Sequence, residues 1–420
     1  MTDSANHRPE GLAAYIAVTA AYWAFMLTDG ALRMLVLLHF NTLGFSPVQL
    51  AYLFLLYEFM GMVTNLSAGW IAARFGLLFT LYAGLGIQIA ALLALTFLDA
   101  TWSIPASVVF VMAVQGLSGV AKDLAKMSSK SAVKLLAPEE GGGLFRWVAL
   151  LTGSKNAVKG CGFLLGAAFL ALFGFNVAVL AMAGALAGIL VAVMLFMPGG
   201  LPGGNKGAKF SEVFSKDPRV NRLSAARVFL FGARDVWFVV GIPIFFYSVL
   251  SDGTPEGNRA AFFLIGTFMA AWVIFYGVVQ AAAPKLLRAA TKEAKDITGL
   301  AIRWVGILTL IPTALAVAAF AGGGSAPWLL PVTVVGLLAF GVVFAFNSAV
   351  HSYLILAFTK AERVTMDVGF YYMSNAAGRL LGTLLSGLSY QLGGLWLCLA
   401  TAALMAGLSW LAARRLGAVV

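Results

Sequence analysis

The sequence predicts an all-α membrane protein of twelve transmembrane helices in two six-helix halves. Three observations predict it: an apolar composition, twelve recurring apolar runs, and a Gly/Pro-rich loop at mid-chain with related sequence on either side. Of 420 residues, 61% are hydrophobic and only 11% charged, with a mean hydropathy of +0.92. That is far from a soluble domain, and runs of about twenty apolar residues match the hydrocarbon thickness of a bilayer. Backbone groups in lipid must find partners within their own segment, so the spans are helices.

The spans fall near 13–38, 48–71, 77–98, 104–124, 144–172, 176–197, 222–249, 260–282, 298–321, 327–352, 365–389 and 395–413. The polar opening Met1–Glu10 and the charges Asp29 and Arg33 in the first apolar run are unlike a cleavable signal. Connections at 39–47, 99–103, 173–175, 322–326 and 390–394 carry no Lys or Arg, and the 250–259 loop carries only Arg259. The opposite side holds Arg8, Arg74, Lys122 to Lys134, Lys206 to Arg222, Lys285 to Lys295, Lys360, Arg363, Arg414 and Arg415. Positive residues mark the cytoplasmic side, so both termini and the central loop are expected in the cytoplasm. The net charge of +11 is therefore read as topology and not as nucleic-acid binding. Cys161 and Cys398 both fall inside spans, and a disulfide is not expected. Three scattered histidines offer no metal-ligand spacing, and neither metal nor cofactor is expected.

The loop Pro198–Lys209, PGGLPGGNKGAK, divides residues 1–197 from 221–420, with 198–220 as a cytoplasmic linker. No Ser or Thr follows Lys206, so the loop is not a phosphate-binding P-loop. Laying the first span on the seventh puts Asp29 over Asp235 and Phe25 over Phe231. Laying Ser154-Lys155-Asn156-Ala157-Val158-Lys159 on Ser374-Asn375-Ala376-Ala377-Gly378-Arg379 puts Lys159 over Arg379. Two six-span repeats about a midplane site are the major facilitator architecture. The stretch Gly69 to Gly76, GWIAARFG, resembles the loop motif of that fold, although Ala73 stands where the motif has Asp.

The most informative stretch is Thr152–Gly160, TGSKNAVKG, which sets Lys155 and Lys159 four residues apart on one helix face inside an apolar run. A cation at mid-membrane depth costs about 2.5–3.5 kcal/mol even on the insertion scale. Such a pair needs counter-charges or a wet cavity that receives an anion. Arg33, Arg234 and Arg379 join it as intramembrane cations, against the carboxylates Asp29, Glu58 and Asp235. Five cations over three carboxylates make a positive cavity, in which arginine offers a planar fork and lysine a point charge. The carboxylates are candidates for proton coupling or charge balance. Each charge also has a structural reading. Asp29 and Arg33, at i,i+4, would neutralise each other, whereas Arg234 and Asp235, on different faces, would pair elsewhere, Asp235 with Lys159 or Arg379. Glu58 would be either a partner of a cavity cation or a proton carrier. His351 is expected at an interface. Lys122, Lys126, Lys130 and Lys134 form an i,i+4 ladder read either as a solvated basic face or as a cytoplasmic entrance that collects anions.

The strings TDGALRMLVLLHF (28–40), LSGVAKDLAKMSSKSAVKLL (117–136), RWVALLTGSKNAVKG (146–160) and LSAARVFLFGARDVWFVV (223–240) resemble the ArsJ-type organoarsenical efflux permeases of bacteria. The resemblance implies a major facilitator transporter that exports 1-arseno-3-phosphoglycerate and confers arsenate resistance. It also implies a functional link to glyceraldehyde-3-phosphate dehydrogenase, which makes that compound. No catalytic residue is implied, and the chain is not expected to be an enzyme. The expected partners are a small anionic substrate and the bilayer, with no nucleic acid, and the chain is expected to act as a monomer. The open alternative is transport or exchange of another organophosphate or organic anion.

Overall fold

A computed structural model describes residues 8–99, 101–136, 143–197, 214–287, 293–324, 326–359 and 364–420. Every regular element among them is helical: α1 (Arg8–Thr42), α2 (Pro47–Phe75), α3 (Leu77–Leu95), α4 (Ile104–Leu136), α5 (Gly143–Phe196), α6 (Pro218–Val236), α7 (Ile242–Leu250), α8 (Pro255–Leu286), α9 (Ala294–Ala321), α10 (Leu329–Phe358) and α11 (Val364–Gly417). A π-helical turn, Trp237–Gly241, joins α6 to α7. Ten helical stretches among the described residues are long and apolar enough to cross a membrane.

Helices α5 and α11 each run for 54 residues and each contains one residue outside helical conformation, Gly174 (φ 77°) and Gly394 (φ 64°). At 1.5 Å per residue, 54 residues would extend about 80 Å, more than twice a bilayer core of about 30 Å. Positive φ is readily adopted only by glycine, and these two positions coincide with the short connections expected at 173–175 and 390–394. Gly76 (φ 90°) likewise lets α2 turn directly into α3. Just before it, Arg74 lies 5.4 Å from the Trp70 ring centre, in a motif where Ala73 leaves no carboxylate.

The starts of α6 and α8 follow from local chemistry. Asp217 accepts from the Arg219 amide at 2.8 Å and Thr254 Oγ1 from the Gly257 amide at 3.0 Å, each followed by proline at the first helical position. The π turn is pinned from α11, where Ser386 Oγ accepts from the amides of Val240 (3.2 Å) and Gly241 (3.1 Å). One apolar core packs α1 to α4 with the part of α5 after Gly174, through Leu81, Leu85, Val179 and Leu186. The other packs the part of α5 before Gly174 with α6 to α11, through Phe163, Trp237, Trp272 and Phe340.

Close backbone approach sets the central helices. A Cβ at Gly162 would overlap the Leu27 carbonyl of α1, and one at Gly166 the Ala31 carbonyl. On α11, a Cβ at Gly378 would overlap the Val228 carbonyl, and one at Gly382 would stand 2.8 Å from the Gly232 carbonyl of α6. The offset that lays Lys159 on Arg379 also lays Gly162 on Gly382. The α1/α5 and α6/α11 pairs therefore meet through equivalent glycines.

Candidate functional site: a cationic central cavity

Helices α1, α2, α4, α5, α6, α8, α10 and α11 surround a cavity of about 220 Å³. Its lining residues on α2, α4, α8 and α10 (Asn65, Lys122, Lys126, Gln280, Ser352) lie toward the C-terminal ends of those helices. On α11, Tyr372 and Asn375 lie toward the N-terminal end, and Arg227 lies in the first third of the continuous span Pro218–Leu250 that runs from α6 through α7. With alternating helix directions, both sets face the end where the chain passes from α2 to α3, α4 to α5 and α10 to α11. At the other end α2 and α11 are in contact, with Gln391 Oε1 accepting from the Val48 amide at 3.2 Å. Met34, Leu38, Ile242 and Phe245 pack into the apolar core on that side.

All five cations expected inside the membrane line this cavity: Arg33, Lys155, Lys159, Arg234 and Arg379. Lys122 and Lys126 line it as well. The basic ladder on α4 is thus no simple solvated face at these positions. Lys122 is 7% exposed and its ammonium sits 4.1 Å from the centre of the Tyr57 ring. Lys126 donates to Asp123 Oδ1 and to Asn65 Oδ1, both at 2.5 Å. The side chain of Lys130 lies outside the described residues. Arg227 is an eighth cation in the wall, and sequence reasoning missed it. The signal was available: Arg227 is two helical turns before Arg234, so both leave the same face of α6.

The carboxylates form a buried counter-charge layer. Lys159 Nζ donates to Asp29 Oδ2 at 2.7 Å, while the Tyr57 hydroxyl donates to Asp29 Oδ1 at 2.5 Å. Glu58, fully buried, accepts from Arg33 Nη2 at 2.6 Å through Oε1 and from Arg379 Nε at 2.9 Å through Oε2, which Arg379 Nη2 also contacts. Asp29 and Arg33 therefore do not neutralise each other as their spacing allows. Tyr57 and Glu58, adjacent on α2, each draw one of them away.

The expectation for Asp235 is also corrected. Its Oδ1 accepts from Arg234 Nε at 2.6 Å, the neighbour expected to pair elsewhere. The long guanidinium stem folds back over its own helix, within 4.9 Å of the Phe231 ring centre. Asp235 Oδ2 is buried without a hydrogen-bond partner. With Asp123, four carboxylates stand among eight cations, and a cavity of low dielectric strengthens the excess positive field.

Neutral polar and aromatic side chains complete the wall and its surroundings. Asn65, Asn156, Asn375, Tyr22 and Tyr372 line the cavity, Trp23 Nε1 donates to Ser154 Oγ at 3.1 Å, and Trp237 and Tyr371 are buried in the apolar packing. His351 is fully buried, not interfacial, because α10 turns Asn347, Ser348 and His351 inward together. Cys161 is exposed, Cys398 is buried, and both are free thiols.

Membrane-length helices around a charged central cavity are the build of a multi-pass membrane protein. No known protein family matches the sequence, and no curated protein does. Solved structures do match. A POT family transporter in complex with a thioalcohol-conjugated peptide aligns at a TM-score of 0.72 and 13% identity, over 95% of this chain and 94% of that one. A nucleoside transporter aligns at 0.66 and 16%, over 97% of this chain and 99% of that one. A bacterial homologue of the iron transporter ferroportin, in its outward-facing state, aligns at 0.61 and 15%, over 96% and 99%. At these identities the likeness is one of fold: the chain has the helical fold shared by these transporters.

Proposed function

We propose that the protein is a transporter that exports an organoarsenical anion, 1-arseno-3-phosphoglycerate, and so confers arsenate resistance. The observation that carries the anion reading is the excess of eight cations over four carboxylates around one cavity. The four strings that resemble ArsJ-type permeases support the arsenical substrate. Arg33, Lys155, Lys159, Arg234 and Arg379 would bind the substrate. Asp29, Glu58 and Asp235 would hold the cations neutral between cycles or carry protons, and Lys122, Lys126 and Lys130 would admit anions from the cytoplasm. Chemistry on the substrate belongs to the dehydrogenase that supplies it, not to this chain.

The transport cycle would alternate access between residues 1–197 and 221–420, joined by the 198–220 linker. In this layout Gly174 and Gly394 close hairpins that turn the two 54-residue helices into four spans, for twelve in all. The equivalent glycine contacts of α1/α5 and α6/α11 support the repeat. With both termini in the cytoplasm of an inner membrane, the cavity described here opens inward, and one polypeptide contains the whole pathway.

A second reading, uptake or exchange of another organophosphate or organic anion, draws on the same observation, because a cationic cavity reads charge and not direction. Expression in arsenate-sensitive cells with and without glyceraldehyde-3-phosphate dehydrogenase tests the two. Resistance that depends on the dehydrogenase supports export of the organoarsenical. Resistance without it favours the second reading.

A further inference from the structure

Arg227 is held unlike the other arginines of the cavity. Arg33, Arg234 and Arg379 each contact a carboxylate. Arg227, only 4% exposed, contacts none among the described residues. Its Nη1 donates to the Ser348 carbonyl at 3.3 Å and to Ser348 Oγ at 3.2 Å. The guanidinium centre lies 4.0 Å from the Phe231 ring centre and 5.0 Å from that of Tyr371. Its Nε is buried with no hydrogen-bond partner. Neutral acceptors and ring faces satisfy part of a guanidinium, but they leave its charge uncompensated, and a buried charge in that condition destabilises the fold. A substrate group that supplies the missing negative charge removes that penalty on binding.

The neighbours of Arg227 are suited to an anion and not to a proton or a metal cation. Gln280 Nε2 donates to Ser348 Oγ at 3.1 Å, and Ser352 Oγ donates to the Ser348 carbonyl at 2.9 Å, so the serine is tied to both flanking polar groups. Gln280 and Ser352 line the cavity beside Arg227. Seven residues separate Arg227 from Arg234, which places the two about 10 Å apart along α6. Arg234 holds Asp235, which interacts electrostatically with Arg33 and Arg379, the two partners of Glu58. The cavity thus has a cationic group at mid-depth and another about two turns toward its open end.

We infer that Arg227, with Gln280, forms a second anion subsite that binds the far anionic group of a two-ended substrate. The near group is then held at mid-depth by Arg379 and Lys159. This inference rests on the anion reading above and adds to it the residues that would meet the second end of a short substrate with an anionic group at each end. A cavity of about 220 Å³ suits that size, being smaller than the roughly 300–1,000 Å³ of sites for drug-sized ligands. A single small anion would meet only one end.

The test is calorimetric binding of two stable probes, propane-1,3-bisphosphonate and propylphosphonate, to the purified full-length protein. The wild type is expected to bind the bisphosphonate at least about tenfold more tightly, the yield of one charge-assisted contact. Arg227→Gln is expected to bring the two affinities within about twofold by weakening the bisphosphonate selectively. Arg227→Lys, which keeps the charge but loses the fork, is expected to reduce the preference only several-fold, and it decides the matter if the glutamine variant does not fold. Equal weakening of both probes, or an unchanged preference, overturns the subsite and leaves the anion reading standing. A wild type that binds neither probe overturns both.

Discussion

Glu58 and Arg379 stand 321 positions apart in sequence and meet in the cavity wall, with Arg379 Nε donating to Glu58 Oε2 at 2.9 Å. Through its other oxygen Glu58 holds Arg33, so one buried carboxylate ties α1 and α2 to α11. A substrate anion that bonds to Arg379 competes with Glu58 for the same guanidinium. The contact is therefore a natural point at which binding loosens one side of the molecule from the other.

Arg379→Ala is expected to abolish arsenate resistance. Glu58 keeps Arg33 in this variant, so the stability cost is bounded at about 1.5–3 kcal/mol, the worth of a charged hydrogen bond. Thermal unfolding in detergent, alongside a resistance assay at matched membrane abundance, measures both. Full resistance in this variant would remove Arg379 from the anion site.

Lys159→Ala strands Asp29, which is 3% exposed, with only the Tyr57 hydroxyl as a partner. Breaking a buried pair from one side costs about 3–5 kcal/mol, so the single variant is expected to be both unstable and inactive. The double variant Asp29→Asn with Lys159→Gln removes both charges and is expected to recover most of the stability but none of the transport. Recovered transport in the double variant would show that the pair only supports the fold.

The sequence made the membrane class, the apolar spans and the intramembrane charges legible, because a cation in hydrocarbon is conspicuous whatever its partner. It did not reveal which carboxylate each cation meets. Asp29 finds Lys159 130 positions away, and Arg33 finds Glu58 25 positions away, through helix packing that i,i+4 spacing cannot anticipate. Lys122 and Lys126 read equally as a solvated ladder or as an entrance, because the sequence does not show Tyr57 and Asn65 beside them. Arg227 was hidden for another reason. It lies close to the basic linker, and its burial follows from α10 turning Ser348 toward it.

Glycine contacts between the central helices are expected to be intolerant of even one methyl. Gly166→Ala and Gly378→Ala each push a Cβ into a carbonyl oxygen of rigid helix backbone, at a cost of about 1–3 kcal/mol. Gly184, which has open space around its Cβ position, is the control. Gly184→Ala is expected to be neutral or to stabilise by up to about 1 kcal/mol. Unfolding midpoints for the three variants check this, and equal midpoints would mean that the close packing contributes nothing.

Lys126→Ala is expected to slow transport without abolishing it. The variant loses one attracting charge at the open end and releases Asp123, which keeps Thr64 Oγ1 at 2.7 Å. Attraction of an anion over a distance is screened by salt, so the defect is expected to shrink as ionic strength rises. Transport equal to wild type at every salt concentration would leave Lys126 no role in admitting substrate.

Energy coupling separates two mechanisms that share the same cavity. Moving a charge across 100 mV is worth about 2.3 kcal/mol, so an inside-negative membrane already drives a dianion outward by roughly 4.6 kcal/mol. Uniport is thus sufficient in energy. Against it, the cavity keeps three carboxylates at mid-depth, Asp29, Glu58 and Asp235, more than an anion conduit requires. Asp235 Oδ2 is buried without a hydrogen-bond partner. In proton antiport, a carboxylate would take up a proton from outside as the substrate departs and would release it to the cytoplasm as the next substrate binds. The expected outcome is antiport: flux in proteoliposomes should respond to an imposed pH gradient at clamped potential, and Glu58→Gln or Asp235→Asn should remove that response. Flux that follows the potential alone, unchanged in both variants, would establish uniport and leave the carboxylates as structural partners of the arginines and lysines they hold.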